Sequence, residues 1–239
     1  MRFAAALLAC ASLLAQSSFK IEYACPPEDI DAFGLSCAPD DPCHVFLELS
    51  SIEAAGSKLF VAGNLHTEST TLYGVLLVSE DGGNSWTEPL KRIRAAALEQ
   101  IQFIDNAKGW ISGQSIEPLP RDPFLLMTGD GGKTWRQKML FEDSRFASVA
   151  QFWFDSPDAG QLVLDRDVNG RPMHERYQTN TGGESWELEE STSKPIVLKT
   201  RKDATWRLHA DGKRYDAQRR GASAWETVAS FPIAVADCK

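Results

Sequence analysis

The sequence predicts an all-β chain of about four repeated antiparallel sheets, and three observations support this. First, a segment that ends in tryptophan occurs three times, as SEDGGNSW (79–86), TGDGGKTW (128–135) and TNTGGESW (179–186). Second, the three tryptophans are 49 and 51 residues apart, a period typical of solenoids and propellers. Third, short runs rich in β-branched and aromatic residues lie between them, and none keeps a helical period.

Four repeat units follow from this period. A degenerate fourth unit, Ala204 to Phe231, carries Trp225 at the shorter distance of 39 residues from Trp186. The units lie near 44–93, 94–143, 144–196 and 197–236. Since about four antiparallel strands make one blade, we predict a β-propeller of about four four-stranded blades in a single domain, 44–238. Such a chain could form a small closed ring, an open arc, or a half that pairs with a second copy.

The repeated segment has the chemistry of a self-satisfied turn. A hydroxyl and a carboxylate at this spacing can accept hydrogen bonds from the backbone of the turn, and the paired glycines supply positive φ angles. The tryptophan can then fold back and bury its ring. We therefore predict a structural role for the shared positions. They are Ser79, Asp81, Gly83, Ser85, Trp86, Thr128, Asp130, Gly132, Thr134, Trp135, Thr179, Gly183, Ser185 and Trp186.

These positions resemble the Asp-box, or bacterial neuraminidase repeat. In its families this repeat lies on the outer hairpin of a propeller blade and is structural. The first two copies match fully, whereas the third has Thr181 in place of the aspartate. The stretch Ile101 to Gly113 is similar to the inner-strand signature of photosystem II stability and assembly factor-like repeats, and Phe152 to Leu164 is a looser copy. The resemblance implies a propeller of the sialidase-type superfamily and a role in assembling or stabilising other proteins.

The first residues have the composition of a secretory signal peptide. Residues 1–17 combine one arginine, an apolar run and a small-x-small site at Ala15-Gln16-Ser17. A secreted or periplasmic location is therefore predicted. The alternative is a lipoprotein, because Leu7 to Cys10 resembles a lipobox. Residues 18–43, rich in proline, aspartate and cysteine, are predicted to form an irregular lead-in.

Four cysteines remain after the predicted signal peptide: Cys25, Cys37, Cys43 and Cys238. In an oxidising compartment they predict two disulfides, and three pairings are possible. Every pairing links Cys238 to the N-terminal region, which ties the chain ends together and favours the closed ring. No metal site or cofactor is predicted, since the chain has no Cys-x-x-Cys pair and its histidines lack ligand spacing.

One segment could still bind calcium. Asp165, Asp167 and Asn169 match the front of a calcium loop, but the twelfth position is Arg176. A hairpin turn at Asn169-Gly170 is favoured, and the calcium interpretation stays open.

The net charge of −8 argues against a general nucleic-acid binder, which needs a basic face. The basic stretch Lys199 to Arg220 has cations at strand spacing, so a solvated blade surface is favoured over a contact patch for an acidic partner or an anionic glycan. No further stretch has the length of apolar sequence that a membrane span needs.

Together these features predict a protein- or glycan-binding or assembly module that is not an enzyme. Its partner is unknown and its self-association is undetermined. The loop Ser112 to Asp122 is the best single contact candidate, because two prolines stiffen it.

The alternative function is a sialidase-like glycoside hydrolase. It would need an arginine cluster, a tyrosine paired with a glutamate, and an acid. The chain after the signal peptide offers four tyrosines: Tyr23, Tyr73, Tyr177 and Tyr215. Carboxylate and arginine groups that converge on the central axis would favour the hydrolase, and an axis lined by apolar or small residues would favour binding or scaffolding.

Overall fold

The computed structural model describes residues 17–116, 121–142, 146–200 and 205–239, with only the backbone of Arg121. The predicted signal peptide therefore lies outside the described residues except for Ser17. None of the helices in the described ranges is long and apolar enough to cross a membrane. The elements in chain order are β1 (Ser17–Ser18), α1 (Pro27–Ala32), β2 (Cys43–Ala55), β3 (Lys58–His66), β4 (Thr71–Ser79), β5 (Ile93–Arg94), β6 (Ala96–Phe103), β7 (Gly109–Ser115), β8 (Arg121–Thr128), β9 (Arg136–Met139), β10 (Ala147–Phe154), β11 (Gly160–Asp167), β12 (Pro172–Thr179), β13 (Glu187–Thr192), β14 (Trp206–Ala210), β15 (Arg214–Arg220), β16 (Trp225–Pro232) and β17 (Ala234–Cys238).

The strands form four sheets, one for each predicted repeat. Sheet 1 has the order β17-β2-β3-β4-β5, sheet 2 the order β6-β7-β8-β9, sheet 3 the order β10-β11-β12-β13 and sheet 4 the order β1-β16-β15-β14. Consecutive strands pair antiparallel, whereas β1 joins β16 in parallel. The fold is therefore all-β, with propeller-type blades, as the repeat period predicts.

Neighbouring sheets contact each other through strands that include β2, β6, β10 and β14. Strand β6 packs against β2, β10 packs against β6, and β14 packs against β2. Strands β2, β6 and β10 each contain a β-bulge at the equivalent position, which leaves Ser50, Glu99 and Ala150 outside the regular pairing. A bulge bends its strand and redirects side chains. The side chains at these three positions therefore do not follow the regular alternation of the strand.

Side-chain amides join one sheet to the next. Asn64 of sheet 1 bonds both backbone groups of Leu98 in sheet 2, at 2.8 and 3.2 Å. Gln102 of sheet 2 does the same to Phe154 of sheet 3, with both distances 2.8 Å. Buried amides of this kind fix the register of neighbouring sheets, because breaking one leaves polar groups unpaired inside the protein.

Three apolar clusters fill the junctions between sheets. One joins sheets 4 and 1, one joins sheets 1 and 2, and one joins sheets 2 and 3. Each cluster is built from side chains that alternate along the strands toward the neighbouring sheet, as half-buried strands require. Representative members are Leu47, Val61 and Phe231 in the first, Phe60, Leu76 and Leu98 in the second, and Trp110, Phe152 and Leu162 in the third.

Each repeated tryptophan segment, called here a glycine corner, closes onto the preceding sheet. A Cβ at Gly83 in the first corner would lie 2.7 Å from Val228 of sheet 4, and one at Gly132 in the second would lie 2.4 Å from Phe60 of sheet 1. In the third corner the Gly182 carbonyl accepts a hydrogen bond from the Trp110 indole of sheet 2 at 2.9 Å. Three corners thus accompany three packed junctions.

The closed ring favoured by the cysteines is wrong, because the arc is open between sheets 3 and 4. No apolar cluster of the described residues joins these two sheets. Instead, the Leu198 amide donates one hydrogen bond to Gln151 of sheet 3 at 2.9 Å. The physical reason is in the repeat itself: the fourth unit lacks the corner motif that would close onto sheet 3.

Two disulfides hold the N-terminal lead-in against sheet 1. Cys25 pairs with Cys238 across 213 residues, and Cys37 pairs with Cys43. The ends of the chain are therefore tied together, as predicted, but this link sits at the junction of sheets 4 and 1 and does not close the ring. The lead-in also contains the short helix α1, which begins with Pro27 and two acidic residues.

Candidate functional site

Two glutamates, Glu48 on β2 and Glu99 on β6, lie close to each other where these two strands pack together. We call the surface formed by Glu48, Glu99 and Tyr215 the axial edge. Glu48 on β2 is paired across the sheet with Asn64, and Asn64 clamps the backbone of Leu98 in sheet 2. The Ser50 hydroxyl also donates to the Leu98 carbonyl, at 2.8 Å. Since Leu98 directly precedes Glu99, this clamp holds the two glutamates on adjacent strands.

Glu99 is the residue that the β6 bulge leaves unpaired. Glu99 is exposed, yet the surrounding protein raises its pKa, first through desolvation and second through the negative charge of Glu48. The two carboxyl groups are therefore inequivalent in their surroundings. Burial and a neighbouring negative charge both disfavour the ionised form of a carboxyl group, so they act in the same direction on Glu99.

Tyr215 on sheet 4 completes the axial edge. Desolvation, followed by the charge of Glu48, raises the pKa of the Tyr215 phenol, and a hydrogen bond with the Leu49 backbone opposes this rise. The phenol therefore remains a neutral hydrogen-bonding group at physiological pH. Three sheets contribute one polar side chain each to this edge.

The glycine corners contain the residues that the repeat singled out. In the first corner the Ser79 hydroxyl donates to Asp81 at 2.8 Å and accepts the Gly83 amide at 2.7 Å. Asp81 also accepts the amide and the hydroxyl of Ser85, at 2.9 and 2.7 Å. The indole of Trp86 donates to the Gly83 carbonyl at 3.1 Å. Thr128, Asp130, Gly132, Thr134 and Trp135 repeat all of these contacts in the second corner.

The third corner keeps only part of this network. Thr179 accepts the Gly183 amide at 3.1 Å, and Thr181 accepts the Ser185 amide at 3.0 Å in place of the missing carboxylate. The buried indole nitrogen of Trp186 has no hydrogen-bond partner among the described residues. This corner is therefore less completely bonded than the other two.

The corner carboxylates are strongly acidic. Hydrogen bonds from the backbone and then the side chain of Ser85 lower the pKa of Asp81 to about 2. In the second corner the Thr134 hydroxyl, followed by its amide, lowers the pKa of Asp130 to about 2. Both groups are fully ionised at neutral pH and occupied by the turn itself, so they are poor candidates for acid–base chemistry.

Several predicted contact and metal segments have specific structural places. The predicted loop Ser112 to Asp122 is shorter than expected, because strands β7 and β8 extend into it. Its two prolines lie outside the described residues. Asp165 contacts the ring of His174 at 2.6 Å, whereas Asp167 accepts the Gly170 amide at 2.7 Å. The described residues contain no cluster of three His, Cys, Asp or Glu side chains that could hold a metal ion.

A tyrosine–glutamate–arginine set occurs on sheet 3. The Tyr177 hydroxyl donates to Glu175 at 2.8 Å, and Arg166 donates to the other carboxylate oxygen at 2.8 Å. Tyr177 is buried within the cluster between sheets 2 and 3. A pocket of about 640 Å³ opens above Arg166 and Glu175. Because both oxygens of Glu175 are occupied, the set stabilises the wall of this pocket.

A second tyrosine cluster holds the lead-in to sheet 1. Buried Asp29 accepts the hydroxyls of Tyr23 and Tyr73, each at 2.7 Å. Desolvation, then the bond to Asp29, raises the pKa of Tyr73 to about 12. All three residues line a pocket of about 370 Å³. The tyrosines therefore act here as protonated donors that satisfy a buried carboxylate.

The axial glutamates were not among the predicted site residues. The sequence did contain a signal for them. LELSSI (47–52) and LEQIQF (98–103) both have Leu-Glu near the start of a repeat unit, and these segments form strands β2 and β6. The repeat alone could not show that the two glutamates meet, because that depends on the bulge and on the Asn64 clamp.

No protein-family model and no curated protein matches the chain. The Asp-box resemblance is therefore not confirmed and stays a prediction. Among solved structures the chain is similar to YCF48 bound to D1 peptide, with 21% identity, a TM-score of 0.41, and coverage of 78% of this chain and 55% of that one.

Glycan-degrading enzymes also occur among the similar structures. A GH74 xyloglucanase from Xanthomonas campestris has 17% identity, a TM-score of 0.40, and coverage of 72% of this chain and 27% of that one. A PL25 ulvan lyase has 9% identity, a TM-score of 0.45, and coverage of 83% and 54%. This chain thus spans about a quarter to about half of the length of these three structures.

The prediction that the protein is not an enzyme is contradicted by the glycan-degrading enzymes among the similar structures. An arabinanase from Penicillium chrysogenum joins the xyloglucanase and the lyase among the similar structures. Fold alone excludes no activity. Identities of 9–21% likewise assign no reaction to this chain.

Proposed function

We propose that the protein is an extracellular propeller module directed at a glycan and that the axial edge is its site. The single observation that carries the proposal is the Glu48–Glu99 pair, held on neighbouring strands by the Asn64 clamp and unequal in surroundings. Sugar hydroxyls both donate and accept hydrogen bonds, and two carboxyl groups beside a phenol offer partners for both.

Glycan chemistry fits this pair better than it fits the corner carboxylates. Glycoside hydrolases use two carboxyl groups, one of which keeps its proton through a raised pKa. Glu99 has the raised pKa, and Glu48 is the negative charge beside it. In the proposal Glu99 is the proton donor, Glu48 is its charged partner, and Tyr215 is a neutral donor at the same edge.

The charge of the site indicates which glycans to test first. The negative charge of Glu48 disfavours an anionic sugar by repulsion, so neutral or amine-bearing glycans are expected to bind best. The two disulfides support an oxidising, extracellular setting in which such polymers occur. A protein partner is the other ligand class to be tested.

The test is an array of neutral, amine-bearing and acidic oligosaccharides, together with a peptide library, probed with the oxidised protein. Glu48→Gln and Glu99→Gln are compared with Glu68→Gln, which changes an exposed glutamate in the β3–β4 turn. We expect neutral or amine-bearing glycans to bind, a loss of at least about tenfold in both axial variants, and none in the control.

Release of reducing ends or unsaturated products from the bound glycans is then measured with the same variants. Turnover that disappears in Glu99→Gln would define Glu99 as a catalytic acid. Binding of peptides alone, or glycan binding that neither axial variant weakens, would contradict the proposal.

A further inference from the structure

The two ends of the open arc are unlike the packed junctions. On sheet 3 the outward face is set by residues that alternate with the core: Trp153 lies between two buried phenylalanines, and Arg176 pairs with Glu190 of β13. On sheet 4 the outward face includes Arg207, whose guanidinium lies 4.5 Å from the ring centre of Trp225. Both faces are polar surfaces with one tryptophan each.

The strands of these two sheets differ in the sign of their net charge. Strands β10–β13 carry six acidic and two basic side chains. Strands β14–β16 carry four basic and two acidic ones. Glu187 and Glu190 pair with Gln178 and Arg176 on the outward face of sheet 3, and Arg207 and Arg220 are exposed on sheet 4. Surfaces of opposite sign that belong to one chain are complementary to each other in a second copy.

An exposed apolar residue lies in the chain segment between sheets 3 and 4. Val197, in the segment that connects β13 toward β14, has 79% of its surface exposed, the highest value among the large apolar side chains that the structure describes. Its neighbour Leu198 is buried and bonded to Gln151 of sheet 3. Leu198 thus anchors the segment to sheet 3, whereas Val197 beside it is exposed to solvent. An exposed apolar side chain of this kind is available for contact with a partner.

We propose that two copies of this chain associate through these faces, with sheet 3 of each copy packed against sheet 4 of the other. A two-fold axis makes the two contacts identical and closes them, so no face remains open. The assembly is a ring of eight sheets in which every junction is occupied. It explains why the fourth repeat has a charged face where the other repeats have a glycine corner.

The first measurement is the mass of the oxidised protein by analytical ultracentrifugation at low and high salt. We expect a dimer at about 50 mM salt and dissociation as the salt is raised, because the proposed contact is electrostatic. A chain that stays monomeric at about 0.1 mM in low salt would overturn the proposal, and this includes a chain that closes its own ring.

Charge reversal on each face gives the decisive test. Glu187→Arg with Glu190→Arg, and separately Arg207→Glu with Arg220→Glu, should each raise the dissociation constant at least about 100-fold. An equal mixture of the two variants should restore the dimer, since each reversed face then meets a reversed partner. Lys133→Glu, in the second corner, is the matched control and should dimerise like the wild type. Two reversed variants that dimerise unchanged, or that fail to associate when mixed, would refute the two-face contact.

Val197→Asp tests the same contact without touching a strand. Because Val197 is exposed and lies outside the sheets, the variant should keep the unfolding temperature of the wild type while its dissociation constant rises at least about tenfold. An unchanged dissociation constant in a folded Val197→Asp protein would place the dimer contact elsewhere.

Discussion

Carboxylates at the glycine corners and carboxylates at the axial edge have opposite electrostatic surroundings. Asp81 and Asp130 accept hydrogen bonds from their own turns, which lower their pKa values to about 2. Glu99 instead has its pKa raised by desolvation and by Glu48. The corner carboxylates are bonded within their own turns, whereas the axial pair is the proposed ligand site. Within one chain the environment, and not the residue type, shifts the pKa values of these two sets of carboxyl groups in opposite directions.

The largest difference between the two regions is expected from removal of a corner tryptophan. Trp86 is 6% exposed and packs edge-on against Phe231 of sheet 4 at 5.1 Å. Trp86→Ala should lower the free energy of unfolding by about 3–5 kcal/mol, because it opens a cavity at the junction of sheets 4 and 1. Urea unfolding measures this value.

The matched control is Trp153→Ala, on the outward face of sheet 3. Its side chain is half-buried and its indole donates to exposed Asp155 at 3.2 Å. The expected loss is about 1 kcal/mol or less in the monomer. Equal losses for the two tryptophans would show that the corners are not the main fixation points of the sheets.

The second-largest expected effect is the pH dependence of stability that comes from the corner carboxylates Asp81 and Asp130. A carboxylate with a lowered folded pKa stabilises the protein above its ordinary value of 3.8, and this stability is lost as the pH falls toward about 2. The double variant Asp81→Asn and Asp130→Asn should therefore have a lower unfolding temperature at pH 6 than the wild type. The gap between the two proteins should narrow between about pH 4 and pH 2. A gap that stays constant with pH would contradict the corner bonding.

The axial edge should respond in the opposite direction. A carboxyl with a raised folded pKa costs stability once it ionises, so this cost grows as the pH rises above its ordinary value of 4.5. Glu99→Gln removes that cost and should leave the unfolding temperature at pH 7 equal to or above that of the wild type, while the ligand is bound less well. A marked loss of stability in Glu99→Gln would assign Glu99 to the fold.

The smallest expected effect is repair of the third corner. Thr181→Asp restores the carboxylate that the other corners use to bond both the amide and the hydroxyl of the following serine or threonine. We expect a small rise in the unfolding temperature, and a matched Thr181→Ala variant should show a fall. Calorimetry on the two variants checks both signs, and a fall in Thr181→Asp would contradict the shared geometry of the corners.

The repeats in the sequence were enough to predict the four sheets, but not that the arc of sheets stays open between sheets 3 and 4. The Trp86, Trp135 and Trp186 spacing located the repeats, because each corner is a local turn whose bonds stay within a few residues. The absence of the glycine corner from the fourth unit indicated the open junction between sheets 3 and 4. The cysteines near both ends of the chain, however, favoured a closed ring. The Cys25–Cys238 bond proves to hold the lead-in at a junction that was already packed.

The candidate site was harder to predict for a physical reason. Glu48 and Glu99 are 51 residues apart in sequence and meet only through the Leu98 clamp and the β6 bulge. A bulge changes which residue faces outward without changing composition. The corner carboxylates repeat because each corner uses one to bond its own turn, so their repetition marks a structural position and not a single site.

We expect corner and axial carboxyl groups to titrate on opposite sides of their ordinary pKa values. The most direct test is an NMR titration of the side-chain carboxyl carbons in the oxidised protein, with Glu48→Gln as comparison. Asp81 and Asp130 should titrate at about 2, Glu99 should titrate above 4.5, and Glu48→Gln should lower the Glu99 value. A Glu99 that titrates at or below 4.5 and does not respond to Glu48→Gln would contradict the account.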